Sequence, residues 1–315
     1  MTETLDSYSL IAVYSAMGVY ALAFILFTLD LARRSAAATM RQDALVAQRA
    51  AGGTTTLERP TEAPPAPGYL RAAFALTVIA WLLHLAGDVL RGVAAARVPW
   101  ANMYEFSLTA TLVIVGVFLL SRLWQDLRFL GVYVTGFVVL GLGIATVNFY
   151  VPVIPLPDAL GRSPFWLVIH VMVAMLGVGF FALGAALSVG QLLRQRRSNG
   201  GLARAKYLDT IPGADRLETF AYGVNIIGFV FWTFTLVAGA IWANDAWGRP
   251  WGWDTKEVWT FIIWVLYAGY IHARATRGWR GTRSAWLAII GFAAVVFNFT
   301  IVNVFFKGLH AYSGL

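Results

Sequence analysis

Residues Thr219 to Trp242 read TFAYGVNIIGFVFWTFTLVAGAIW, a stretch without a charge, and run directly into ANDAWGRPWGWD, Ala243 to Asp254. A helix rising about 1.5 Å per residue crosses the roughly 30 Å of bilayer hydrocarbon in about 20 residues, so the first part reads as a transmembrane helix. Gly and Pro break the second part, which concentrates tryptophan at the end of that helix. Working outward, similar apolar runs recur at about 8–32, 70–92, 104–121, 128–147, 165–193, 257–273 and 284–305. The expected fold is therefore an all-α integral membrane protein with about eight transmembrane helices.

Composition agrees. Of the 315 residues, 59% are hydrophobic and 13% charged, against about 25% charged in a soluble domain. The net charge of +8 comes from Lys and Arg scattered singly or in short groups between apolar runs, the pattern of residues flanking membrane spans, so nucleic acid is not an expected partner and membrane lipid is. The first residues, MTETLDSYSL, are acidic where a signal peptide is basic, and residues 1–32 read as a retained first helix. Residues 33–69, which include ERPTEAPPAP, read as a flexible cytoplasmic linker, leaving 70–315 as the main membrane domain. With no cysteine in the chain, thiolate ligands and disulfides are excluded.

Orientation follows from the positive charge. With the N-terminus outside, the inner segments hold seventeen Lys and Arg, including Arg33, Arg34, Arg194, Arg196, Arg197, Arg274 and Arg277, whereas the outer segments hold six. Both termini are then outside, and so is the tryptophan segment, about 242–257.

Six of the 13 tryptophans fall between Trp242 and Trp264. An interfacial aromatic belt accounts for residues such as Trp124 and Trp166 but poorly for this cluster, where Gly and Pro spacing would turn Trp247, Trp251 and Trp253 toward one place. A flat hydrophobic ligand stacked on the indoles explains it better. In a chain without cysteine, the four histidines are the strong candidates for haem iron, although Met and Tyr can also ligate it. His170, near the outer end of the fifth span, and His310, just after the eighth, both belong to the tryptophan face, which points to a bis-His haem site. His272 lies 18 residues beyond Asp254, about 27 Å along a helix. It serves a second haem position in the inner half of the membrane or packs near the inner surface. His84 is either a haem ligand or a core histidine bonded to a backbone carbonyl. Asp254 either orients Arg249 or Lys256 or caps the helix that follows it.

The segment WGRPWGWD (Trp247, Gly248, Arg249, Pro250, Trp251, Gly252, Trp253, Asp254), with His170 before it and His310 after it, resembles the tryptophan-rich WWD signature of the haem-handling family that includes CcsA/ResC, CcmC and CcmF. The segments PWANMYEF (Pro99 to Phe106), SPFWLVIHV (Ser163 to Val171), YIHARA (Tyr270 to Ala275) and NVFFKGLHAYS (Asn303 to Ser313) are most similar to the CcsA/ResC branch, the subunits of the System II cytochrome c synthase. The resemblance implies a protein of the bacterial plasma membrane that delivers haem b across it and presents it at the outer face, with His170 and His310 as axial ligands. There it is attached to the Cys-x-x-Cys-His of apocytochrome c, whose thiols a thioredoxin-like protein keeps reduced. It further implies that His272 pairs with a histidine from a separate ResB/CcsB-like subunit, and that haem lyase activity belongs to that complex.

Two other classes compete. A cytochrome b-like electron-transfer protein sets its bis-His pairs deep within helices, and a transporter of another flat hydrophobic substrate would place its site near the midplane. Ligands near a tryptophan-rich outer surface suit transient presentation better than either.

Overall fold

The computed structural model describes residues 2–50, 68–153, 164–276, 278–306 and 308–309, and every regular element among them is helical. Eight long helices follow in order: α1 (Thr2–Ala50), α2 (Tyr69–Ala95), α3 (Met103–Ser121), α4 (Gly131–Asn148), α5 (Pro164–Ser198), α6 (Ala214–Trp247), α7 (Thr255–Thr276) and α8 (Thr282–Phe297). A π turn (Asn298–Val302) carries α8 into a last short helix, α9 (Asn303–Phe305). Each of α1 to α6, and the run from α8 through α9, is long and apolar enough to cross a membrane. The 22 residues of α7 also suffice for length, about 33 Å, but their Trp, Tyr and His content lowers the mean hydropathy. The chain is thus a multi-pass membrane protein, as expected.

One boundary differs. The chain expected to leave helix at residue 32 stays helical to Ala50, so 33–50 belongs to α1 rather than to a linker. The stretch RRSAAATMRQDALVAQRA contains neither Gly nor Pro and is dominated by Ala, Arg, Met, Gln and Leu, all strong helix formers. The Arg33 guanidinium lies over the Tyr69 ring, 4.4 Å from its centroid, where α2 begins beside α1. The remainder of the expected linker, 51–67, lies outside the described residues.

α1 packs along α2, and α5 along α6. Val13, Tyr20, Phe27, Leu108 and Val138 fill the core between α1, α2, α3 and α4, while Phe181, Trp232, Ile263 and Tyr267 fill a second core among α5, α6, α7 and α8. At the end of the bundle where α6 meets α7, polar groups hold the first four helices together. Glu105, fully buried on α3, accepts from Arg91 Nε at 2.9 Å, from Arg97 Nη1 at 2.7 Å and from the Ala101 N–H at 2.8 Å. Arg91 also donates to Asp6 of α1 at 2.6 Å and to the Val151 carbonyl after α4 at 2.7 Å. Tyr150 donates to the other Asp6 oxygen at 2.8 Å. Asn102 caps α3 by accepting from the Glu105 N–H at 2.9 Å.

At the opposite end, Glu218 of α6 accepts from Arg274 of α7 at 3.2 Å and from the Gly281 N–H, which precedes α8, at 2.8 Å. In the loop before α6, the Arg197 and Arg194 guanidiniums hold the Asp209 carboxyl below the usual carboxylate range.

Removing one partner from a buried, hydrogen-bonded ion cluster leaves the others charged and unpaired, at a cost of about 3–5 kcal/mol. Glu105→Ala is therefore expected to lower the thermal midpoint of the detergent-solubilised protein by many degrees, whereas Asp126→Ala, in the exposed pair with Arg128, leaves it close to wild type. Equal midpoints for Glu105→Ala and wild type would show that the cluster does not hold the bundle end.

Candidate functional site

The tryptophan segment is a turn built by its small residues. Gly248 adopts φ +70°, the left-handed conformation that ends α6, and its N–H donates to the Asn244 carbonyl at 2.9 Å. The Arg249 guanidinium folds over Gly252, in the space that a Cβ there would enter. Asp254 stands immediately before α7 with its carbonyl accepting from Val258 N at 2.9 Å, and the Glu257 carboxylate accepts from the Asp254 and Gly252 N–H groups at 3.0 and 2.8 Å. The carboxylate reaching back is half of a capping box. The Asp254 side chain packs against Gly308, filling the space that a Cβ there would occupy.

The turn does not present its indoles alike. Trp251 lines a cavity, whereas Trp253, in the left-handed region at φ +59°, is 75% exposed and meets Trp251 edge-on at 5.8 Å. Trp247 stands behind the cavity, edge-on to Trp242 at 4.7 Å, and Trp242 forms part of the wall.

That cavity, about 470 Å³, lies between α3 and α4 on one side and α5 to α8 on the other. Its volume falls within the roughly 300–1,000 Å³ typical of small-molecule sites. Trp100, Phe106, Trp232, Trp242 and Trp251 make its lining strongly aromatic. Phe137, Ile144 and Val296 belong to the lining yet are exposed by 46%, 57% and 41%, so the cavity opens sideways on the outer surface of the bundle. Its polar groups include His170, Lys256, Glu257, Asn298 and Asn303.

His170 projects from the second turn of α5 across α6 at Gly239. A Cβ there would come within 2.7 Å of the imidazole Cε1, so glycine is what admits the ring. The ring lies nearly parallel to Trp242, with centroids 6.1 Å apart and planes at 12°. Its Nδ1 is 3.0 Å from the Thr235 carbonyl oxygen. A carbonyl only accepts, so Nδ1 carries the proton and the basic lone pair is on Nε2, the arrangement that suits a metal-ligating histidine.

The other histidines stand elsewhere. His84 is fully buried between α1 and α2, 3.5 Å from the Tyr20 hydroxyl and edge-on to that ring, and it does not line the cavity. His272 is exposed on α7, 18 residues along the helix from the turn. His310 lies outside the described residues, two positions after Gly308 in the sequence.

Three of the four segments singled out around the tryptophan turn meet at the cavity: Trp100, Met103 and Phe106 from the first, Leu167 and His170 from the second, Asn303 and Val304 from the last. Lys256, Asn298 and Gly239 were missed. Asn298, a polar residue inside an apolar span, carried a signal. Gly239 carried none before the helices were paired.

The Cytochrome C assembly protein family matches residues 100–310. Among curated relatives, the cytochrome c biogenesis protein CcsA of Synechococcus sp. (strain CC9902) is 32% identical over 273 residues, 78% of this chain and 87% of its own length. CcsA of Prochlorococcus marinus (strain MIT 9215) is 33% identical over 264 residues, 75% of this chain and 83% of its own. A solved structure of the cytochrome c haem lyase CcmF shares the fold, with a TM-score of 0.65 at 19% identity, over 94% of this chain and 46% of that one. With a family match that covers two thirds of its length and CcsA relatives aligned over three quarters of it, this chain belongs to the Cytochrome C assembly protein family as a CcsA-type cytochrome c biogenesis protein.

Proposed function

We propose that the chain delivers haem b across the bacterial plasma membrane and presents it at the outer, tryptophan-rich end for attachment to the Cys-x-x-Cys-His of apocytochrome c, as the CcsA/ResC-type subunit of a System II synthase. The observation that carries the reading is His170, whose proton is fixed on Nδ1 by the Thr235 carbonyl and whose ring stands against Trp242 in the wall of an aromatic cavity. The donor set suits haem: an imidazole with its lone pair on Nε2, indole faces for a flat macrocycle, and no thiol of its own to react.

In this reading Nε2 of His170 would be one axial ligand, and His310, two residues past the Gly308 that packs on Asp254, the other. Bound haem supplies the vinyl groups to which the apocytochrome thiols add. The chain's own part is positional: Trp242 and Gly239 fix the His170 plane, and the Glu257 cap fixes the turn that carries Trp251. The exposed Trp253 faces outward from the site, where apocytochrome would approach. The positive-charge asymmetry supports placing this end outside.

His272 is exposed on α7 far from the turn. It would pair with a histidine from a ResB/CcsB-like subunit at an inner haem position, and the apocytochrome thiols would be kept reduced by a thioredoxin-like protein.

Protein purified from haem-replete cells is expected to carry b-type haem with a bis-imidazole spectrum, and His170→Ala to abolish cytochrome c maturation, partly restored by added imidazole. Colourless wild-type protein, or full maturation in His170→Ala, would overturn the assignment. Gly239→Ala is expected to shift the haem spectrum by displacing His170, and an unaltered spectrum would remove Gly239 from the site. For His272→Ala, haem per protein should fall while the spectrum of the remaining haem stays unchanged; full occupancy with normal maturation would make His272 a packing residue.

A further inference from the structure

The cavity wall is apolar and aromatic over most of its area, but its polar pole is unfinished. Lys256, in the first turn of α7, brings its ammonium there, donating to the Asn303 side-chain oxygen and, at 3.4 Å, to the Asn298 carbonyl. Both acceptors are neutral. No carboxylate lies within ion-pairing distance of Lys256 among the described residues: Glu257 is engaged by two backbone N–H groups, and Asp254 acts on it only at longer range. An ammonium has three donors, and these contacts occupy two.

The helix is built to make this pole. Where α8 would otherwise run straight, the π turn Asn298–Val302 interrupts it, and both ends of the turn serve Lys256: the carbonyl of Asn298 at its start and the side chain of Asn303 just past its end. Such turns cost backbone hydrogen-bond geometry and concentrate at functional sites. A cation set in an apolar cavity with neutral partners alone is expensive unless a ligand completes it with negative charge.

We infer that Lys256, held by Asn298 and Asn303, is a carboxylate-binding subsite, and that the ligand entering this cavity is an amphipathic molecule that places a flat apolar body against the indoles and a carboxylate on the lysine. The inference rests on the haem reading above, under which the carboxylate is a propionate of the macrocycle. Lys256 is then a positioning residue, because a carboxylate fixed at one pole sets the rotation of the macrocycle in its plane, and with it which edge faces the turn. Charge-assisted hydrogen bonds of this kind change affinity by about ten- to a hundred-fold.

The test is a pair of titrations on the full-length protein purified from haem-depleted cells, followed by quenching of its tryptophan fluorescence, with haem and with haem dimethyl ester, which lacks both carboxylates. Wild type is expected to bind the free acid about ten- to a hundred-fold more tightly than the ester. Lys256→Gln should bind both with the affinity wild type has for the ester, and Lys256→Arg should keep most of the preference. Equal affinities of wild type for the two would overturn the subsite while leaving the haem reading intact, whereas failure to bind either would overturn both. Retained preference in Lys256→Gln would move the carboxylate contact to another residue. Displacement of haem by an equal concentration of oleate would overturn the assignment to a macrocycle and make the site one for a lipid carboxylate.

Discussion

One carboxylate, that of Glu105, gathers two guanidiniums and a backbone N–H where four helices end, and the geometry of the cavity depends on it. Hydrocarbon offers no attraction between helices beyond packing, so a polar cluster satisfied entirely within the protein fixes their ends more firmly than another apolar contact would. Through Arg91 it ties α1 and the end of α4 to α3; through Arg97 and Ala101 it sets the short connection that carries Trp100. Trp100 then donates to Thr109 at 3.1 Å, and Thr109 to Asp88 of α2 at 2.9 Å, so this wall of the cavity is also tied to α2 by hydrogen bonds. The Glu218 contacts do the corresponding work for α6, α7 and α8 at the other end.

Much of the architecture is legible in the sequence because the membrane allows so few alternatives. An apolar run of sufficient length must be helical, and every such run became a helix within a few residues of its expected ends, except that α1 continues to Ala50. That continuation has a local cause, helix-forming side chains without a breaker, which a reading based on hydropathy overlooks. The tryptophan turn was legible for the same kind of reason, since Gly248 supplies the left-handed residue that ends α6.

Less of the site could be read, because it is made where helices distant in sequence face one another. Nothing in the order of residues says that His170 crosses α6 at Gly239, that Trp251 lines the cavity while Trp253 stands exposed, or that His84 faces Tyr20 rather than the cavity. The same holds for Lys256. From the sequence it is a basic residue at the start of a span, as expected of a membrane-flanking charge, and only the π turn after α8 reveals that its neighbours are two asparagine oxygens.

The sideways opening at Phe137, Ile144 and Val296 changes what concentration means for this protein. A ligand that reaches the mouth through hydrocarbon diffuses in two dimensions, and occupancy follows its mole fraction among the lipids, not its amount per litre of water. An amphipathic molecule scarce in solution is enriched by partitioning before it meets the mouth, so a modest intrinsic affinity suffices to keep the cavity filled. By the same reasoning, a dissociation constant measured in micelles depends on how much detergent phase dilutes the ligand, and values from different detergents become comparable only after conversion to that common scale.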